Sequence, residues 1–188
     1  MKYAWRFSIL LALAGCTTIS VESVKDASYS GVLRKVYVFI STGEFMVDAR
    51  GAEKKTERMP MCIYFKESIE KKFISVGIET RAKAVAGLES GKDQFKKELA
   101  AFRPEAVMTM QLKEPTVSSS EYVGQTSLVN AIYDIKIVLP EEERTIWRGE
   151  VRAEGNADEI FSMDKVIENI VLQLTEDGLI DVMTPATE

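Results

Sequence analysis

The 188 residues hold 24 Lys and Arg against 29 Asp and Glu, carry a formal charge of −5 and include no histidine. An acidic chain of this size suits one domain with a real core, and it does not suit a nucleic-acid binder, which needs a basic face or stripe. The missing histidine removes the commonest metal ligand and general base, and with them every Ser-His or Cys-His arrangement. Any catalysis would fall to carboxylates, Lys or Tyr.

At the N-terminus Lys2 and Arg6 make a basic start, Phe7 to Ala14 is an almost unbroken apolar run, and Leu13-Ala14-Gly15-Cys16 closes it. The run is shorter than the roughly 20 apolar residues that span a bilayer, and the three-part layout is that of a secretory signal. Leu13-Ala14-Gly15-Cys16 resembles the lipobox of bacterial lipoproteins. That resemblance implies cleavage between Gly15 and Cys16, acylation of the Cys16 thiol, and a membrane-bound protein whose several acyl chains hold it durably. Thr17 stands where an Asp usually retains such proteins at the inner membrane of Gram-negative bacteria, so the expected address is the outer membrane, facing the periplasm. Removing residues 1–15 takes Lys2 and Arg6 and no acid, leaving 22 bases against 29 acids, a formal charge of −7. Clustered Lys and Arg for docking on anionic lipid are lacking, so membrane contact is expected through the anchor. Cys62 is then a lone thiol that cannot staple the fold, and as a small apolar side chain it is expected in the core.

Residues 16–31 are rich in Ser, Thr and Val without a sustained period, and they read as the lipidated N-terminus and a tether whose end could join a strand. One globular domain is expected over 32–180, with a flexible tail over 181–188. Val36 to Ile40 is apolar on both faces, the mark of a central strand covered by helices on both sides. Ser41 to Arg58 is a long connection, in which Phe45, Met46 and Val47 could pack back or form an edge strand.

From Met61 to Val76 the apolar positions Cys62, Phe65, Ile69, Phe73 and Val76 make one helical stripe. Pro60 is tolerable in the first turn, and Gly77 stands where a left-handed cap would end the helix. Ile78 to Ala86 alternates as a strand with one polar face. A second helix follows over Lys92 to Phe102, with Phe95, Leu99 and Phe102 aligned and Pro104 just beyond. Val107 to Lys113 is a further strand.

Thr126–Leu139 and Arg144–Ala153 alternate around the polar turn Pro140 to Glu143, a long antiparallel hairpin. Asn156 to Glu159 offers a capping box, with Ser162 as the other start for a last helix striped by Met163, Val166, Ile167, Ile170, Val171 and Leu174. Gly178 and Leu179 fit a Schellman ending. The order β-α-β-α-β-β-β-α, or one strand fewer before the last helix, predicts an α/β fold with a mixed sheet of about five strands packed by three helices.

Motifs for chemistry are few. Gly87-Leu88-Glu89-Ser90-Gly91-Lys92-Asp93 sits between a strand and a helix like a phosphate-binding loop, but it has three residues between its glycines and Asp93 in place of Ser or Thr. It reads as a turn. Glu141 to Glu143 on a hairpin tip would splay apart instead of converging on a cation. Ser118 to Ser120 has no partner base at a recognisable spacing. Trp147 is expected in the core, the other reading being an anchor at a partner surface.

Over roughly residues 33 to 180 the succession of strands and helices, with the Trp147 strand leading into a helix that ends Asp177-Gly178-Leu179-Ile180, looks like several groups of small envelope lipoproteins. Among them are accessory lipoproteins of transport systems, the lipopolysaccharide-assembly lipoprotein and the curli-secretion lipoprotein. The resemblance implies a non-enzymatic accessory module without a cofactor or metal, partnered by the membrane and an envelope protein of a transport or assembly system. The alternatives are a periplasmic hydrolase with two carboxylates about 5 to 9.5 Å apart and a carrier with an apolar cavity.

Overall fold

The computed structural model describes residues 18–41, 61–85, 92–113, 116–118, 128–156 and 163–181. Seven strands form one mixed sheet: β1 (Thr18–Lys25), β2 (Lys35–Ser41), β3 (Glu79–Val85), β4 (Ala106–Leu112), β5 (Thr116–Ser118), β6 (Leu128–Leu139) and β7 (Arg144–Asn156). The helices are α1 (Met61–Ser75), α2 (Lys92–Phe102) and α3 (Met163–Glu176). The sheet runs β1-β7-β6-β4-β2-β3, with short β5 also paired to β6. β2 lies parallel to β3 and β4, while β4-β6, β6-β7 and β7-β1 are antiparallel.

The crossovers explain where the helices sit. From β2 the chain passes through α1 to β3 on one side, then back through α2 and past β2 to β4 on the other. Right-handed connections that reverse direction across a sheet must lie on opposite faces, and the contacts agree. Val36, Val38 and Ile40 of β2 share a core with Phe65, Ile69 and Phe73 of α1 and Val166, Ile167, Ile170 and Leu174 of α3. Tyr37 and Phe39, on the other face of β2, meet Phe95 of α2 edge-on at 5.6 and 5.2 Å, and Tyr37 meets Phe102 at 6.0 Å. The doubly apolar run Val36 to Ile40 is thus covered on both sides, and β2 is central, as its composition predicts. Burying a side chain the size of Phe65 or Phe73 contributes about 1.5–3 kcal/mol.

Two helix ends are fixed by glycine. Gly77 has φ 87° and Gly178 φ 66°; the Gly77 and Ile78 amides donate to the Ile74 and Phe73 carbonyls, and the Gly178 and Leu179 amides to Thr175 and Leu174. Both are Schellman ends. Arg103, at φ 50°, closes α2 by the simpler single bond from its amide to Leu99.

Among the described residues the edge strand β3 has one row of amides without a strand partner, and Glu70 of α1 reaches over the edge to accept from the Ala82 amide at 2.7 Å. That contact partly blunts an edge open to pairing with another chain.

Two expectations are corrected. Thr18–Lys25, read as tether, is a full strand paired along its length with β7, from Thr18 opposite Glu154 to Lys25 opposite Trp147. Among the described residues the sheet has seven strands, close to the expected five, with β1 and β5 as the additions, and the mixed α/β sheet with three helices is as expected. β7 runs to Asn156 and α3 opens at Met163, so Asn156 belongs to a strand and stands apart from the start of α3. The expectations for the loop at Phe45 to Val47 and for the tail beyond Asp181 lie outside the described residues.

Candidate functional site

The two halves of the sheet are covered differently. α1 and α3 pack side by side on one face, where α3 reaches as far as β1 and β7. On the other face α2 lies over β2, through Phe95 and Phe102. The same face of β6, β7 and β1 is uncovered by the described elements, and its side chains alternate with the buried Tyr133, Ile135, Ile137, Trp147, Val151 and Ala153 and with the half-buried Ile19 and Val21 packed against them.

Strand register arranges that open face in rows. Val24, Arg148, Lys136 and Thr109 stand abreast on β1, β7, β6 and β4. The next row is Glu22, Glu150, Asp134 and Gln111, and the next Ser20, Arg152 and Ile132. An acidic row is therefore flanked by basic ones. Three carboxylates directly opposite one another across strands would repel, and the neighbours offset this: Lys113 Nζ lies 3.0 Å from Glu150 and Arg152 Nη2 lies 2.8 Å from it. Hydrogen bonds from Lys113 and Arg152 hold the Glu150 carboxyl below its ordinary range, and the bond to Glu150 raises the Lys113 ammonium in turn. Val24, 74% exposed, adds an apolar side chain beside Arg148.

Against the helix-covered face, Asp177 ties three elements together. Its Oδ2 accepts from Trp147 Nε1 at 2.6 Å and from Ser23 Oγ at 2.7 Å, its Oδ1 accepts from Gln173 at 3.3 Å, and its carbonyl accepts from Lys25 Nζ at 2.7 Å. Trp147 is 1% exposed, which makes it core and not an anchor at a partner surface. Its ring lies across Gly149, where a methyl group would overlap it. Asp177 escaped the sequence reading, although a buried indole N–H needs an acceptor and an Asp just before a capping glycine is well placed to supply it.

The remaining polar groups are dispersed. Tyr37 donates to Glu98 at 2.8 Å, Glu98 also takes Lys83 at 3.1 Å, and burial followed by the bond to Glu98 pushes the Tyr37 hydroxyl well up. Burial alone raises the Tyr133 hydroxyl, which has no hydrogen-bond partner among the described residues. Glu141, Glu142 and Glu143 form the exposed hairpin turn, with Glu142 3.2 Å from Arg144. Among the described residues no cluster of His, Cys, Asp or Glu could hold a metal ion, and no helix is long and apolar enough to cross a membrane.

Several sequence candidates lie outside the described residues: Gly15 and Cys16 of the lipobox, the Gly87–Gly91 turn, and Ser119 and Ser120. Ser118 ends β5, and Cys62 falls in the first turn of α1 with its side chain outside the described set.

No family model matches the chain, and no curated protein matches it. A solved structure shares its fold. The PelC dodecamer from Paraburkholderia phytofirmans aligns with TM-score 0.51 at 12% identity, over 82% of this chain and 95% of that one. Weaker likenesses include the lipoprotein GNA1162 from Neisseria meningitidis, with TM-score 0.46 at 14% identity over 76% and 98% of the two chains. A minor lipoprotein from Acinetobacter baumannii aligns with TM-score 0.36 at 9% identity, over 79% and 97%. At these identities the likeness is one of fold.

Proposed function

We infer that the chain is a lipid-anchored protein of the bacterial envelope, cleaved between Gly15 and Cys16 and acylated on Cys16, whose domain is a non-enzymatic accessory module for a transport or assembly protein. The observation that carries the binding role is the charge-banded face of β1, β7 and β6, which the described elements leave uncovered. It fits a protein surface carrying complementary rows of acid and base. Exposed ion pairs contribute little each and weaken in salt, so the partner is held weakly and register is set by the pattern of charge. Thr17 after the lipidated cysteine supports an outer-membrane address.

Photo-crosslinking in cells tests the binding role. A crosslinking amino acid at Arg148 should trap one discrete envelope protein, and the same probe at Glu168 on the helix layer should trap none. The adduct should vanish when Lys136→Glu and Glu22→Lys reverse the banding. An adduct that survives charge reversal, or one made only with a second copy of this chain, would overturn the accessory reading. The PelC structure is a dodecamer, which makes self-association the outcome to watch. Separately, Cys16→Ala should block acylation and leave residues 1–15 uncleaved, which a mass shift of the membrane-associated protein would show.

A further inference from the structure

The strand that replaced the expected tether leaves almost no chain between the lipid and the fold. Only Thr17 separates Cys16 from Thr18, the first residue of β1. Two residues reach at most about 7 Å, which is less than the roughly 8 Å over which salt screens charge in physiological solution. β1 cannot peel away to lengthen this link. It is paired with β7 over all eight residues, and its far end is tied to Asp177 through Ser23 and Lys25.

The sheet topology says which end is held. Thr18 stands level with Glu154 of β7, which pairs with Asn130 of β6, which pairs with Thr116 of β5. The opposite end carries the hairpin turn after Leu139 and the starts of β2, β3 and β4. It is rich in acid: Asp26, Glu79, Glu105, Glu141, Glu142, Glu143 and Asp181, against Arg34, Lys35, Arg103 and Arg144. An anionic lipid surface repels such an end.

From the short link and the excess of acid at the far end we propose that the lipid headgroups of the bilayer are the partner of one end of the sheet. The strands stand up from the membrane, with Thr18, Asn130 and Glu154 at the headgroups and the acidic hairpin tip pointing away. Eight strand residues at about 3.4 Å each put that tip roughly 27 Å out. The open charge-banded face then rises from the membrane, where a neighbouring envelope protein can lie alongside it. This arrangement rests on acylation of Cys16, so the test separates the two.

The lipidated full chain is reconstituted into vesicles of phosphatidylethanolamine and phosphatidylglycerol containing a headgroup nitroxide lipid, with a fluorescent amino acid at exposed Glu154 or exposed Glu142. The probe at Glu154 should be quenched several-fold more than the probe at Glu142. A Gly-Ser insertion of about 20 residues between Thr17 and Thr18, reaching roughly 25 Å, should erase the difference while the protein still floats with the vesicles. Equal quenching at both sites in floating protein, or a difference that survives the insertion, overturns the orientation and leaves the anchor standing. Failure of the unmodified chain to float removes the anchor, and the orientation falls with it.

Discussion

The parallel half of the sheet, around β2, and the antiparallel half, around β6 and β7, are built from the same pleat and differ in what covers them. β2 is closed on both faces, so Val36 to Ile40 carries apolar side chains throughout; β6 and β7 are closed on one, so their residues alternate. Burial on two sides leaves no room for a polar binding surface. The half whose second face the described helices leave open has room for one.

Trp147→Ala should give the largest effect, because it empties the closed side of β7 and strips Asp177 of its indole donor. A loss of about 3–5 kcal/mol would show in urea unfolding; a loss under 1 kcal/mol would mean that the closed face does not hold this half together. Gly149→Ala pushes a methyl into the Trp147 ring and should cost about 1–3 kcal/mol as overpacking. The double variant should cost less than the sum of the two, because without the indole the methyl has room.

In the parallel half, Tyr37→Phe removes the bond to Glu98 on the second face of β2 and should cost about 1 kcal/mol. Glu150→Gln, on the open face, should move stability least, and its effect should depend on pH. The Glu150 carboxyl is lowered from 4.5 in the fold, so its contribution is present above that value and is lost as pH falls through the lowered one. Lys113 is raised from 10.5, so its share is present below that value and lost as pH rises through the raised one. The gap in Tm between the variant and the unaltered protein should therefore hold between about pH 5 and pH 10 and narrow on either side. A gap that widens in acid would contradict the pairing.

Much of this architecture was legible because burial writes itself into periodicity. The three-and-four spacing of Phe65, Ile69 and Phe73, the capping glycines at 77 and 178, and the alternation of β6 and β7 each state a local preference that the fold keeps. β1 was illegible for a physical reason. Its inward side reads Ile19, Val21, Ser23 and Lys25, and its outward side reads Thr18, Ser20, Glu22 and Val24. The two inward polar residues serve Asp177, a partner 154 and 152 positions away, so no local pattern announces them. The open face was hidden likewise: its rows exist only after register places Glu22, Glu150 and Asp134 abreast.

The Asp177 tie has a consequence for the order of assembly. A ribosome makes β1 first and the carboxylate that secures it nearly last, and β7, the strand that β1 must pair with, also comes late. Closing so long a loop is entropically costly until the hairpin and final helix exist to reward it. The leading segment therefore lacks its partners until the last strand and helix have emerged, and the molecule is completed when its beginning is stitched to its end.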